Sequence, residues 1–290
     1  MDYQSLVKLP INGGLETTMD NVTTTKGGIP GSTLKIIAIT AMLLDHIGAA
    51  VFSRILVNNG FYGLNLDDVN ASVSFIQDNA VIFTLNMIFR LIGRIGFPIF
   101  CFLLIEGFTY TKNVWKYAFR LLLFCFISEV PFDLAFNSEI LEFTYQNVFF
   151  TLFIGLCTLI CIRFIEEKIT INKYVKYLLM VPVVILFMML ANFLKTDYSG
   201  MGVLTIVVMY LLRKNKVLEM AGGCIVLTVM SFSELTAFLT LIPVWKYNGE
   251  RGLRLKYVFY AFYPVHLLVL YLITYFLGIA DAFKGIVYSM

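Results

Sequence analysis

Apolar and polar positions in this chain sort on the scale of whole helices. Nine runs rich in Leu, Ile, Val, Phe and Met, at roughly 34–56, 80–110, 114–136, 146–166, 175–194, 200–212, 217–232, 234–246 and 257–279, are separated by short polar stretches. A bilayer core of about 30 Å takes about 20 apolar helical residues to cross. The pattern therefore predicts an all-α polytopic membrane protein with about nine transmembrane helices and a polar cavity in the bundle. The sixth, seventh and eighth runs are short, which makes one pair re-entrant or strongly tilted. The second run is long and interrupted by Gly93, Gly96 and Pro98. These residues kink it or split it into an interfacial helix and a spanning one.

Residues 1–32 are polar, rich in Thr and Gly, and hold no apolar core of the signal-peptide kind. They read as a mobile cytoplasmic tail without a cleavable leader, with the first membrane helix serving as its own insertion signal. Residues 33–290 read as a single transmembrane domain. Composition agrees: 59% of the chain is hydrophobic and 14% charged, with a mean hydropathy of +0.81, whereas soluble domains carry about 25% charge. The net charge of +3 does not point to nucleic acid. The five cysteines all fall in apolar runs and read as small buried residues, so no metal is expected.

Lysine and arginine sort by loop. With the N-terminus inside, 17 of them face the cytoplasm, from Lys8 and Lys26 through Lys112 and Lys116 to Arg251, Arg254 and Lys256. Only Arg54, Lys195 and Lys284 face outward. That asymmetry is the positive-inside signature. No internal repeat is visible, which weighs against a transporter built from inverted halves.

Ionisable residues within apolar runs are costly and commonly functional. The stretch KIIAITAMLLDHIG places Lys35 at the edge of the first helix. Asp45 and His46 lie about 16 Å deeper at 1.5 Å per residue. An imidazole titrates near neutral pH and suits general-base work, with a carboxylate to orient it. The alternative is a structural hydrogen bond between helices. His266 lies in the last run, with Tyr263 three residues before it on the same face. Arg90 and Arg94, four apart, share a face and require anions: Asp45, Glu106, Glu129 or a phosphorylated ligand. Glu106 with Lys112, Lys116 and Arg120 forms either an electropositive mouth for an anionic cosubstrate or ordinary positive flanking, and the same choice applies to the segment holding Arg251.

The blocks LKIIAITAMLLDHIG, RLIGRIGFPIFCFLLIEGFTYTKNVWKYAFRLLLF, QNVFFTLFIGL, DYSGMGVLTI and YNGERGLRLKYVFYAFYPVHLL, in this order, resemble the TraX family over about Thr33 to Leu277. The chain departs at Asp197-Tyr198-Ser199-Gly200, where family members often carry glycine directly after the tyrosine, and only a local loop change is expected there. The resemblance implies a bacterial cytoplasmic-membrane protein, multi-pass with its N-terminus inside. It also implies an integral-membrane acetyltransferase drawing on cytoplasmic acetyl-CoA, since TraX is associated with pilin N-acetylation. Lys35 and His46 fit the basic-residue, ten residues, histidine spacing of acyltransferase-3 proteins, which implies a tunnel facing CoA with His46 at the transfer point.

On that reading Lys35, Arg90, Glu106, Lys112, Lys116, Arg120 and Arg251, with Arg254 as an alternative, serve acetyl-CoA. His46 is the base, Asp45 orients it, and Arg94 steadies the oxyanion or the acceptor. Glu129, Asn147, Tyr263 and His266 line the acceptor side. The acceptor is a pilin-like peptide N-terminus or a glycan, and direct transfer and an acetyl-histidine intermediate both stay open. Two other classes compete: a proton-coupled transporter or flippase built on Asp45, His46, Arg90 and Arg94, and an assembly factor whose polar core is structural.

Overall fold

The computed structural model describes residues 27–65, 67–253 and 256–284; Lys8, Lys26, Arg254 and the expected tail up to residue 26 lie outside them. The chain forms α1 (Gly31–His46), a π-helical segment (Ile47–Phe52), α2 (Ser53–Asn58), α3 (Val69–Asp78), α4 (Ala80–Gly93), α5 (Gly96–Tyr110), α6 (Val114–Asn137), α7 (Val148–Lys168) and α8 (Lys173–Phe193). It continues through α9 (Ser199–Leu212), α10 (Lys216–Met230), a 3-10 helix (Phe232–Thr240), α11 (Leu241–Trp245) and α12 (Lys256–Phe276). Strands are absent among the described residues.

Among the described residues, five segments are long and apolar enough to cross a membrane: Gly31–Asn58, Ala80–Tyr110, Val148–Lys168, Lys173–Phe193 and Tyr257–Phe276. Helix α8 shows how they meet the lipid. Its Leu178, Leu186, Met189 and Phe193 are mostly exposed, and an apolar surface of that extent is stable only against another apolar phase. Four of the longer helices begin where the sequence supplies an asparagine cap. Asn113, Asn147, Asn172 and Asn215 accept hydrogen bonds from first-turn amides of α6, α7, α8 and α10.

The long second run breaks at Arg94 and Ile95, between α4 and α5. Pro98 has no N–H to offer the Arg94 carbonyl, so the ladder fails there. Both halves pack along the first helix, α5 on α1 and α4 on α1 and its π-helical continuation. Part of the expected tail is held as well. Ile29, Gly31 and Ser32 donate backbone N–H groups to Lys246, Glu250 and Arg251, which ties the start of α1 to the loop before α12.

The three short runs become α9, α10 and the 3-10/α11 pair. At about 1.5 Å per residue, α9 and α10 span only about 21–23 Å. The 3-10 stretch rises about 2 Å per residue, which lets nine residues, Phe232–Thr240, cover more of the bundle's depth than an α-helix of that length. The start of α9, the end of α10 and the start of the 3-10 segment border one basin.

Arg54, counted with the outer loops on sequence grounds, is fully buried. Its guanidinium donates to the carbonyls of Ala50 (2.9 Å), Leu134 (3.2 Å), Ala135 and Ala280 (3.2 Å) and to Ser138 Oγ (2.9 Å). Two of these carbonyls lie in the last turn of α6, where helical C=O groups have no intrahelical donor and a cation is favoured. Replacing Arg54 with alanine strands several buried acceptors at about 1–3 kcal/mol each. Arg54→Ala should therefore lower the thermal midpoint in detergent sharply or abolish monodisperse protein, as read by size-exclusion and thermal-shift assays.

Candidate functional site

Close approach of α1 and α4 sets the site. A Cβ at Gly93 would stand 2.3 Å from the Asp45 Cβ, so only glycine lets the helices meet. At that contact Arg90 donates to Asp45 Oδ2 at 2.8 Å. One turn on, Arg94 pairs at 3.1 Å with Glu234, which is 1% exposed at the start of the 3-10 helix.

With Asp45 engaged by Arg90, His46 turns to α12 instead. Its Nδ1 lies 2.7 Å from His266 Nε2, and the rings are nearly parallel at 4°. His266 Nδ1 lies 2.7 Å from the Phe262 carbonyl. A carbonyl only accepts, so His266 carries its proton on Nδ1 and accepts at Nε2. The hydrogen bond then requires the His46 proton on Nδ1. With both rings neutral, His46 Nε2 keeps a lone pair, and it has no hydrogen-bond partner among the described residues. Phe136 and Tyr263 set their rings edge-on to His46 at 5.3 and 5.9 Å. The π-helical turn begins at the next residue, Ile47, a distortion often found at functional sites.

The basin has a volume of about 420 Å³ and is lined by Asp45, His46, Arg90, Arg94, Tyr145, Asp197, Tyr198, Ser199, Ser231 and Glu234, with apolar walls including Phe132 and Phe136. The Tyr145 hydroxyl donates to Asp197 at 2.5 Å. Asp45 Oδ1, Arg94 Nε and Glu234 Oε2 are buried without a hydrogen-bond partner. Unfilled polar capacity of that kind is expensive in a sealed core and is the natural lining for a polar ligand. Behind the basin wall, Asn147 donates to the Cys125 carbonyl (2.8 Å) and the Glu129 carboxylate while capping α7. Asn147 is fully buried and Glu129 is 8% exposed; neither lines the basin.

A second cavity of about 250 Å³ lies toward the N-terminal end of α1, lined by Lys35, Phe100, Leu104, Gly107, Arg120, Leu121, Phe149, Phe259 and Tyr260 among others. Lys35 sits 5.3 Å over the Phe259 ring, and the charge of exposed Arg251 acts on Lys35. Lys116 and Arg120 also border a shallow surface depression with Asn113, Trp115 and Phe119. Lys112 is exposed beside it. Glu106 accepts from Tyr247 at 2.9 Å and borders neither cavity.

The structure thus gathers His46, Asp45, Arg90 and Arg94 in one basin, with His266 and Tyr263 behind it, and gathers Lys35 and Arg120 around a separate cavity. Sequence reasoning missed Asp197, Tyr145 and Glu234. Glu234 did carry a signal, a carboxylate between two apolar runs. Tyr145 carried none.

This is a multi-pass helical membrane protein with a buried ionisable centre. A family model described as TraX protein matches residues 30–274, and the chain belongs to that family. It is 30% identical over 260 residues to a probable fimbrial assembly protein FimC, serogroup H1, of Dichelobacter nodosus, covering 82% of this chain and 92% of that protein. No solved structure matches the chain.

Two predictions follow from the local geometry. Gly93→Ala forces α4 off Asp45, and overpacking of this kind costs about 1–3 kcal/mol, so the thermal midpoint should fall. Ser199 stands at φ 46° on the basin rim, after Tyr198 at φ 60°. The departure from glycine in the DYSG block is therefore a strained backbone position as well as a loop change. Ser199→Gly should stabilise the fold by about 1 kcal/mol, seen as a raised midpoint with the same monodispersity.

Proposed function

We propose that this protein is an integral-membrane acetyltransferase that moves an acetyl group from cytoplasmic acetyl-CoA to an amine or hydroxyl of an acceptor in the basin. The reading places the N-terminus in the cytoplasm and the chain in a bacterial cytoplasmic membrane with about nine crossings, the short segments included. Burial of Arg54 leaves even fewer basic residues on the outer side. The observation that carries the function is the array of the Phe262 carbonyl, His266 and His46, linked by two 2.7 Å contacts, which leaves His46 Nε2 outside the array beside a basin holding two guanidinium groups.

In this mechanism His46 Nε2 takes the proton as the acceptor nitrogen or oxygen attacks the thioester carbonyl. The new C–N or C–O bond forms, the C–S bond breaks, and the proton passes to the departing thiolate to give free CoA. His266 orients the base through Nδ1 and shares the charge of the imidazolium. Asp45 does not touch His46 by hydrogen bond; it holds Arg90 in place. Arg94, with Nε unpartnered, is placed to stabilise the oxyanion. Lys35 and Arg120 flank the other cavity as the side from which the cosubstrate enters, with Arg251 close enough for its charge to act on Lys35, and the depth from Lys35 to His46, about 16 Å, is comparable to an extended pantetheine arm. The fimbrial-assembly relative supports an acceptor belonging to a surface fibre, a pilin-like peptide, with a glycan as the other class.

Two cavities with a wall between them also fit a transporter, and CoA dependence separates the readings. Removing a positioned general base costs about 10²–10⁴-fold. His46→Ala should lose at least a hundredfold in CoA release from acetyl-CoA in purified, detergent-solubilised protein while still binding CoA by thermal shift. A monodisperse wild-type protein that does not bind CoA overturns the reading.

A further inference from the structure

The two cavities come close without joining. Phe149, in the first turn of α7, lines the Lys35 cavity. Its ring meets Tyr263 at 5.1 Å and 82°. Tyr263 in turn meets His46 at 5.9 Å and His266 at 5.6 Å, both edge-on. Phe149 is 9% and Tyr263 3% exposed. Two aromatic rings are therefore the layer between the cytoplasmic-side cavity and the base.

The two rings are held by different elements, and the Tyr263 side chain is also hydrogen-bonded to the Val148 backbone. Phe149 is anchored: its N–H donates at 3.0 Å to Asn147 Oδ1, and the same Asn147 grips the Cys125 carbonyl and Glu129 on α6. Tyr263 precedes Pro264 inside α12. Proline gives no N–H to the Tyr260 carbonyl, so α12 lacks a ladder hydrogen bond in the turn that carries Tyr263.

We propose that Tyr263, on its proline-weakened turn of α12, and Phe149, on the first turn of α7, form an aromatic gate that selects acyl length. This deepens the acetyltransferase reading and rests on it. For transfer, the thioester carbonyl must pass the Tyr263 ring to be attacked at His46; the C–S bond breaks, the acceptor keeps the acyl group, and CoA leaves as the thiol. A gap made by one ring tilting aside passes a two-carbon acyl group and resists a longer one. The substrate class is therefore short-chain acyl-CoA, set by these two side chains.

The test compares CoA release from acetyl-, butyryl- and octanoyl-CoA by wild type, Tyr263→Leu, Phe149→Leu and Tyr263→Phe, each checked for monodispersity and CoA binding. Wild type and Tyr263→Phe should prefer acetyl strongly. One methylene in an apolar pocket discriminates by about 10-fold or more, so either leucine variant should cut the acetyl-over-butyryl preference by at least about tenfold. Leucine keeps the interior apolar, and the Phe149 variant stands in if Tyr263→Leu does not fold. A wild type indifferent to chain length, or folded leucine variants with the wild-type preference, overturns the gate and leaves the acetyltransferase reading intact. A wild type with no CoA binding or turnover overturns both.

Discussion

The contact between α1 and α4 is the constraint on which the centre depends. Gly93 brings the two backbones within reach, and the Asp45–Arg90 pair forms where they touch. The pair is partly open to the basin, Arg90 at 27% and Asp45 at 18% side-chain exposure, and losing either partner leaves the other charge inside the bundle without its counter-ion. The pairing has a consequence next door. Asp45 and His46 point about 100° apart on a helix, so an Asp45 directed at α4 leaves His46 directed toward α6 and α12. The histidine finds its orienter in another histidine, and that choice fixes which nitrogen is basic.

The same logic explains the short segments. A basin holding Asp45, Arg90, Arg94, Asp197 and Glu234 needs room within a bundle whose other helices run full length. Ending α10 at Met230 and starting α9 at Ser199 supplies it. Starting the returning chain as a 3-10 helix places Glu234 opposite Arg94 while Thr236 reaches the Leu91 carbonyl at 2.9 Å. The ends of these segments expose backbone and hydroxyl groups that only a polar cavity can satisfy. Short helices and polar basin are thus two sides of one solution, and neither is stable without the other.

Much of this was legible in the sequence. Apolar runs marked the helices because burial in lipid leaves no choice of residue type, and Gly93, Gly96 and Pro98 marked the break for stereochemical reasons that hold in any context. Asp45 and His46 stood out because their depth is costly. What could not be read were pairings between distant positions. His46 and His266 are 220 residues apart, Arg94 and Glu234 lie on separate elements, and Arg54 looks like a loop charge until α6 and the residues around Ala280 close around it. Periodicity gives the face of a helix and not the neighbour that the face meets. Ser199 shows the converse limit: its residue type disagrees with its backbone conformation, so local propensity pointed away from the observed φ.

The arrangement also bears on how a group can cross a bilayer without opening it. A continuous polar channel through the bundle would leak ions, whereas the Lys35 cavity is apolar over most of its wall and charged only at its mouth. Under the proposed acetyltransferase function, an uncharged acyl thioester on a flexible arm tolerates such a wall, while the phosphates that precede it on the same molecule stay near Lys35 and Arg120. Charge on the far side is confined to a basin whose guanidinium groups are each matched to a carboxylate. Between them the Phe149 and Tyr263 rings meet edge-on at 5.1 Å. On that proposal, group transfer through such a wall moves two carbons and an oxygen instead of a whole substrate.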